Sequence, residues 1–416
     1  MIKREGTGLQ SGQEVFAGID IAEERHVVRF IDNLGYELGK PVSFSNNRDG
    51  FAQLERCAQE TGYGNQEITF CLEPSGDYWK PLAYYLKEKR YAVVLVNPYH
   101  TRQSKELIDN SQTKNDRKDA YLIADLGKQG KCFPAHLPEG NFAELRELTL
   151  AWTRANRLLV QAKTYLSSFL VKYFPEYAGC FSDMFGKTSF YCLSRFPLPS
   201  DIEQFGLKRL TKLLKRIGRG KFSEKKIVLF YQKAQTSIGL REGSHAAKLA
   251  LGDILKDIEM LLQWKQKIRE QMVFCLSRSG YRDSLLSIPG VGAIMACFFL
   301  AEVGDPQRYN KASQIEKLAG LHLVENSSGK RQGRLAISKR GKPLLRYAGY
   351  QVALSAVAKN QEIGRLYAYR LKETRNPKQE KMKIMICLAA KMLWIMFTVC
   401  KKNTVYQAQE ITKYWK

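Results

Sequence analysis

The chain has 416 residues, and 66 Lys and Arg against 41 Asp and Glu give it a formal charge of +25. Hydrophobic residues make up 44%, which excludes global disorder, and the length exceeds that of one domain. The charge is typical of a protein that lies along a phosphate backbone, a solvated basic surface being the alternative. Nine scattered cysteines and five separated histidines predict free thiols and exclude a disulfide framework and a zinc site.

The first third of the chain predicts an α/β domain over residues 15–135. The first 13 residues are polar and lack the apolar stretch of a signal peptide, so we expect a cytoplasmic protein. Asp20 lies in the first apolar strand, and Glu73 follows a later one. Strands alternating with helical spacing indicate a mixed sheet flanked by helices. Strand-like runs occur at 16–21, 26–31, 35–45, 68–72 and 92–96, and helical spacing at 80–89.

A helix is predicted over residues 114–126, with Asp116 and Asp119 three residues apart on one face. Carboxylates this close repel each other unless a cation neutralises them. The alternative is that both simply complement the dipole of a helix N-terminus. The neighbouring basic side chains of Lys114, Arg117 and Lys118 suit a polyanionic substrate.

These carboxylates form an array on one α/β frame: Asp20 on a strand, Glu73 at a strand end, and the helical pair Asp116 and Asp119. Hard oxygen ligands of this kind suit Mg²⁺. Two such ions about 4 Å apart can clamp the attacking and leaving oxygens of a phosphate. The array therefore predicts two-metal phosphoryl transfer.

The middle of the chain, residues 140–280, predicts two long helices. Apolar residues from Leu145 to Phe169 alternate at spacings of three and four, and a matching seam runs from Ala247 to Met272 with Lys265 as its one break. The two helices could pair within one chain or across a dimer. Between them, the insertion 179–245 contains a basic stretch at 207–221, predicted as an amphipathic helix followed by a basic loop, which fits either phosphate contact or a solvated face.

The last part of the chain carries a Pro-Gly-Val-Gly turn and a basic loop. Gly290 and Gly292 precede an apolar helix, as in helix-hairpin-helix modules that bring backbone N–H groups to a phosphate; close helix packing is the alternative. A polar, Gly-punctuated segment follows at 325–341, and helical periodicity resumes at 342–358. The apolar run at 384–400 has Lys391 at its centre, which favours a buried core helix over a membrane span.

The motifs Ala17-Gly18-Ile19-Asp20, Glu73-Pro74-Ser75-Gly76, Val96-Asn97-Pro98 and 114–120 resemble the D-E-D-D transposases of bacterial insertion sequences. That group includes the pilin-gene invertase and the bridge-RNA-guided recombinases. The resemblance implies an RNase H-like (RuvC-like) α/β domain in which Asp20, Glu73, Asp116 and Asp119 hold Mg²⁺. It also implies a coiled coil for homo-oligomer assembly, a mainly α C-terminal transposase domain at 283–405, and residence in the bacterial nucleoid.

In the same family, the serine before a glycine of the second conserved domain is the nucleophile. The matching residue is Ser328, with Ser327 adjacent as the alternative. Attack by this serine on a scissile phosphate would give a phosphoserine intermediate. Basic residues nearby are the expected phosphate contacts, namely Lys330, Arg334, Lys339, Arg340 and Arg346.

No zinc-finger, RNP or homeodomain signature is present, so no base-reading module is evident. Some members of the resembling family delegate target choice to a structured guide RNA, and this sequence is compatible with that division. The expected substrates are double-stranded donor and target DNA. Two alternatives are a Holliday-junction-resolving nuclease that uses water as the nucleophile and a non-catalytic nucleic-acid scaffold.

Overall fold

In a computed structural model, the chain separates into two compact units, Met1–Leu137 and Pro138–Lys416. The structure describes residues 14–108, 116–218, 223–325, 333, 335–374 and 376–408. The predicted α/β first domain and a mostly helical remainder are both present. All nine cysteines are free thiols.

The first unit is built on a six-stranded mixed sheet in the order β3-β2-β1-β4-β5-β6. The first three strands form an antiparallel meander, β4 and β5 run parallel to β1, and β6 is antiparallel to β5. Short Val-, Ile- and Phe-rich runs form these strands because such side chains pack well on a pleated surface. The elements are β1 (Val15–Asp20), β2 (Arg25–Ile31), β3 (Val42–Ser45), α1 (Arg48–Glu60), β4 (Ile68–Leu72), α2 (Trp79–Glu88), β5 (Ala92–Val96), α3 (Pro98–Ile108), α4 (Asp116–Lys128) and β6 (Cys132–Pro134).

The two faces of this sheet bury different residues of the same strands. Val15, Ala17 and Ile19 pack on the side of α1 and α2. Phe16 packs with Ile123 and other side chains of α4 on the opposite side. Because side chains alternate along a strand, residues 16, 18 and 20 of β1 all lie on the α4 side.

The second unit begins with a long helical hairpin and a cap of short helices. The elements are α5 (Gly140–Tyr173), α6 (Lys187–Arg195), α7 (Pro199–Phe205), α8 (Leu207–Ile217), α9 (Glu224–Gln235) and α10 (Ser244–Ser277). Helices α5 and α10 have 34 residues each, about 51 Å at 1.5 Å per residue. They pack against each other within the chain, with Leu166 of one and Leu251 of the other fully buried in one cluster.

The predicted break in the second seam is a polar layer between the two helices. Lys265 Nζ donates to Asn156 Oδ1 at 2.7 Å and lies 4.5 Å from the centre of the Trp152 ring. Burial, and then the nearby Lys163, lower the pKa of Lys265. The ammonium is therefore accommodated by a hydrogen bond and a cation–π contact.

The remaining chain forms a helical core with one small hairpin. Helix α12 is apolar on all sides and is accordingly buried. One described helical segment, Glu380–Lys402, is long and apolar enough to cross a membrane, but most of it is buried in this core. The elements are α11 (Arg282–Leu286), α12 (Ala293–Val303), α13 (Ala312–Ala319), β7 (Leu323–Val324), β8 (Ala336–Ile337), α14 (Pro343–Lys359), α15 (Gln361–Glu373) and α16 (Pro377–Lys402).

Candidate active site

Two of the predicted carboxylates lie at the same edge of the first unit's sheet. β1 and β4 are parallel, and Ile19 pairs with Leu72, so that Asp20 and Glu73 each follow a paired residue. Both side chains are half-buried. Cys71 packs on the α4 side of the sheet, as does Phe16, and alternation places Asp20 and Glu73 on that side too.

Helix α4 crosses this face in close backbone contact. A Cβ added at Gly18 would lie 2.1 Å from the Ala120 carbonyl oxygen and 2.4 Å from the Ala124 nitrogen. One added at Gly127 would lie 2.2 Å from Cys71 Sγ. Glycine is required at both positions because any side chain would push the helix off the sheet.

These two contacts fix the direction of α4. Gly127 lies near Phe16 at the start of β1, whereas Ala120 lies over Gly18 further along it. The helix therefore runs antiparallel to β1, and its first turn, with Asp116 and Asp119, approaches the strand end that carries Asp20. At 1.5 Å per residue, the four steps from Asp116 to Ala120 rise about 6 Å along the helix. That length is close to the length of the two strand steps from Gly18 to Asp20.

The four carboxylates thus come from three elements that meet at one sheet edge. Asp119 is half-buried, and the side chain of Asp116 lies outside the described part. Within the described residues, no three His, Cys, Asp or Glu side chains form a group that could hold a metal ion. The donors are all carboxylates, the oxygen ligands that Mg²⁺ prefers, so the residue types fit a divalent ion in their chemistry.

The basic residues predicted beside this edge are placed unevenly. Lys118 is exposed on α4. Arg117 belongs to the same helix, but its side chain lies outside the described residues, as does the whole of Lys114.

The predicted nucleophile falls between the two strands of the small hairpin. β7 and β8 pair antiparallel, with Leu323 opposite Ile337. The segment that joins them carries Ser327 and Ser328, and both lie outside the described residues, as do Lys330 and Arg334.

The end of that loop is held against the end of α13. The Ser338 amide donates to the His322 carbonyl oxygen at 2.9 Å, and the Lys339 amide donates to that of Gly320 at 2.9 Å. Lys339 has a φ of 55°, in the left-handed region that a lysine adopts at a cost. Lys339 and Arg340 are exposed.

Two other predicted phosphate contacts have structural partners. Arg346 Nη1 donates to the Ala319 carbonyl oxygen at 2.7 Å, which fixes it to the same corner. Gly290 has a φ of 102°, and a Cβ there would lie 2.6 Å from the Ala356 Cα, so this glycine permits close packing on α14. Gly292 caps α12 with open space around it.

A buried charge cluster in the helical core was not singled out from sequence. Glu302 is only 1% exposed and forms ion pairs with Arg146 and Lys342. Lys342 Nζ also donates to the Glu302 carbonyl oxygen at 2.6 Å, and burial is the main cause that lowers the pKa of Lys342. A carboxylate ending the apolar helix α12 was the available signal. Because Lys342 follows the loop end at 338–341, this cluster anchors it.

Two family models match the chain, and together they cover more than half of it. A model described as "Transposase" matches residues 17–175, which include α5 and the whole sheet except the first two residues of β1. A model described as "Transposase IS116/IS110/IS902 family" matches residues 282–368, which include α11 to α14 and the small hairpin. The two matched ranges leave out 176–281, the cap and α10.

Curated relatives agree over most of their length. The pilin gene-inverting protein of Moraxella lacunata is 22% identical over 397 residues, 94% of this chain and 97% of that protein. The insertion element IS116 uncharacterized 44.8 kDa protein of Streptomyces clavuligerus is 25% identical over 347 residues, 82% of this chain and 84% of its own. The chain belongs to the IS116/IS110/IS902 family of transposases and is an enzyme of DNA transposition and recombination.

Proposed function

We propose that this transposase cleaves and rejoins DNA through a covalent serine–phosphate intermediate, for which the carboxylates of the sheet edge supply metal ligands and the β7–β8 loop supplies the serine. The observation that supports it most is the close crossing of α4 over Gly18, which brings the first turn of α4 toward the end of β1. Metal-dependent phosphoryl transfer uses carboxylates grouped in this way.

Asp20, Glu73, Asp116 and Asp119 would hold one or two divalent ions, with Mg²⁺ the expected metal. When bound, such ions neutralise charge that develops on the phosphate. Asp20, Glu73 and Asp119 are each half-buried rather than enclosed in a core.

Ser328 is the proposed nucleophile, with Ser327 as the alternative. Its Oγ bonds to the scissile phosphorus while the phosphorus–oxygen bond to the departing strand breaks; the serine loses a proton and the departing oxygen gains one. The phosphoserine ester retains the energy of the cleaved bond, so rejoining needs no ATP. Lys339 and Arg340, exposed at the end of the loop, would contact the phosphate.

Assembly and guidance complete the proposal. Large apolar side chains on the outside of the α5–α10 hairpin are more than half exposed, which supports a homodimer or tetramer formed through it: Val160, Tyr165, Val171, Leu249 and Met260. We further propose a coiled-coil region at 140–280 and a transposase domain at 283–405, which share a hydrophobic cluster because one end of the α5–α10 hairpin packs into the helical core. A structured guide RNA would select donor and target DNA in the bacterial nucleoid.

The test is strand cleavage of the element's own junction DNA with Mg²⁺ and transcripts of its flanking non-coding sequence. The wild type should form a protein–DNA adduct that survives denaturation, and Ser328→Ala should form none. Asp119→Asn should cleave at least about 100-fold more slowly. Asp125→Asn is the matched control, because Asp125 lies further along α4 and pairs with Lys128.

Three outcomes would change the proposal. Cleavage by Ser328→Ala at the wild-type rate, with no adduct in any variant, would favour a resolvase-like nuclease with water as the nucleophile. Loss of the adduct in Ser327→Ala alone would move the nucleophile by one residue. Full cleavage without added transcripts would show that the enzyme does not require a guide RNA.

A further inference from the structure

Helix α8 in the cap is the most strongly one-sided basic element among the described residues. Its eleven residues include five Lys or Arg and no Asp or Glu. At 100° per residue all five fall within an arc of about 120°. All five are exposed: Lys208, Arg209, Lys212, Lys215 and Arg216.

The opposite side of α8 is fixed to the cap's own core. Leu210 and Leu214 are fully buried together with Ile227 and Phe230 of α9. The cap is in turn tied to the hairpin, because Lys248 of α10 forms an ion pair with Asp201 of α7 and the Leu240 amide donates to the Lys172 carbonyl oxygen at 3.1 Å. The basic face is thus presented by a packed helix with a defined orientation.

Little acidic charge offsets this face. Lys215 forms an ion pair with Glu224 at 2.7 Å, between side chains that are both largely exposed. Within the described part of the chain, no carboxylate lies within ion-pair distance of Lys208, Arg209, Lys212 or Arg216. Four neighbouring cations repel one another, so an added polyanion is stabilised there.

The spacing of these cations suits a nucleic-acid duplex. The eight residue-to-residue steps from Lys208 to Arg216 rise about 12 Å along the helix axis. A DNA duplex carries one phosphate charge per 1.7 Å of its axis, or about seven over that length. Cations on successive helical turns can therefore each meet a phosphate without reading bases.

We propose that the basic face of α8 is a second DNA-binding site of this transposase, which holds the phosphate backbone of duplex DNA at the cap, apart from the helical core. Within the second unit, the cap packs around the end of α5 near Tyr173, whereas the helical core begins near Ala155, about 27 Å away at 1.5 Å per residue. The ligand of this site is duplex DNA rather than RNA, because DNA is the substrate of this enzyme class. It does not depend on which residue is the nucleophile.

The experiment measures the affinity of the full-length protein for a 40-base-pair duplex of unrelated sequence over a series of salt concentrations. The triple variant Lys208→Gln, Lys212→Gln and Arg216→Gln should bind at least about tenfold more weakly at 0.1 M salt. The slope of log affinity against log salt should fall in magnitude by about 2 to 3, since each lost phosphate contact removes about 0.9.

The control removes equal charge from exposed positions of α10, with Lys256→Gln, Lys267→Gln and Arg269→Gln. An equal loss of DNA affinity in both triple variants would mean that only net charge matters, and it would overturn the proposal of a site on α8. An unchanged slope in the α8 variant would make the face merely solvated. A loss confined to an RNA duplex would assign the face to RNA and also overturn the proposal.

Thermal unfolding of both triple variants checks the fold, and the single change Lys212→Gln, with an expected slope change of about 1, replaces the triple variant if it unfolds. Because binding is measured without cleavage, failure of the serine chemistry leaves this result unaffected.

Discussion

The carboxylates of the sheet edge and Glu302 of the helical core lie in opposite kinds of surroundings. Glu302 is almost fully buried and is paired with two cations, so its position follows from the charges around it. Asp20 and Glu73 are half-buried at strand ends, and their positions follow from backbone register. The same functional group therefore serves structure where cations enclose it in the core and stays half-buried where it follows the end of a strand.

The largest stability effect is expected at Glu302. Glu302→Gln leaves Arg146 and Lys342 without their buried counter-charge and should lower the free energy of unfolding by about 3–5 kcal/mol. Denaturant unfolding measures this, with Asp253→Asn as the control because the Asp253–Lys256 pair is largely exposed. A loss as small as the control's would mean that the cluster does not hold the core together.

A smaller effect is expected where α4 crosses β1 beside the site. Gly18→Ala forces α4 away from β1 and should cost about 1–3 kcal/mol, since the methyl group meets main-chain atoms that cannot rotate away. Strand cleavage should fall with it. Gly64→Ala is the control in the same unit, because its nearest neighbour is the flexible end of Glu67 at 3.5 Å. Tolerance of Gly18→Ala would contradict the close crossing.

Glu55 sharpens the comparison, because it lies in the first unit and is held by both a hydrogen bond and an ion pair. Glu55 accepts a hydrogen bond from Tyr85 Oη at 2.6 Å and pairs with Lys89 at 3.0 Å. Tyr85→Phe should cost about 1 kcal/mol at pH 7. Burial, then the bond to Glu55, raises the pKa of Tyr85 to about 12.

The pH dependence follows from that raised pKa. The folded state keeps the Tyr85 proton above the ordinary value of 10, so stability present below pH 10 is lost as the pH rises toward 12. Unfolding of Tyr85→Phe, followed from pH 9 to 12, should therefore show a flatter decline than the wild type. Parallel stability curves for the two proteins would show that Tyr85 does not contribute to the loss of stability at alkaline pH.

The smallest stability effect is expected at the proposed metal ligands. Glu73→Gln should change the free energy of unfolding by less than about 0.5 kcal/mol, because the position is half-exposed and set by the backbone. Cleavage should nevertheless be lost. A large loss of stability with residual cleavage would make Glu73 a structural residue like Glu302.

The parts of the fold that could be predicted are those with a clear pattern of apolar residues or a clear helix-breaking residue at their end. The strand at 68–72 was visible as a short, mostly apolar run, and the end of the first long helix before Phe174-Pro175 was visible as a helix-breaking proline. Helix α1 was missed, although Asn47 caps it through a bond from the Gly50 amide at 2.9 Å. The short edge strand β6 carries too few residues for any pattern.

The candidate site was predicted as a set of residue types, whereas its assembly could not be. No local pattern reveals that Gly18 lies under Ala120, since that contact joins residues about a hundred positions apart. The pairing of α5 with α10 was one of two open alternatives, because a heptad seam does not state which seam it meets. The structure shows the pairing within one chain.

The polar layer at Lys265 has a consequence for how the two long helices stay aligned. If α10 slid along α5 by two turns, the ammonium would leave Asn156 and Trp152 and lie among leucines or closer to Lys163. One polar group in an apolar seam makes such sliding costly. The contact of Lys265 with Asn156 and Trp152 therefore fixes the alignment of α5 and α10, and the hairpin keeps the cap and the helical core at a constant separation.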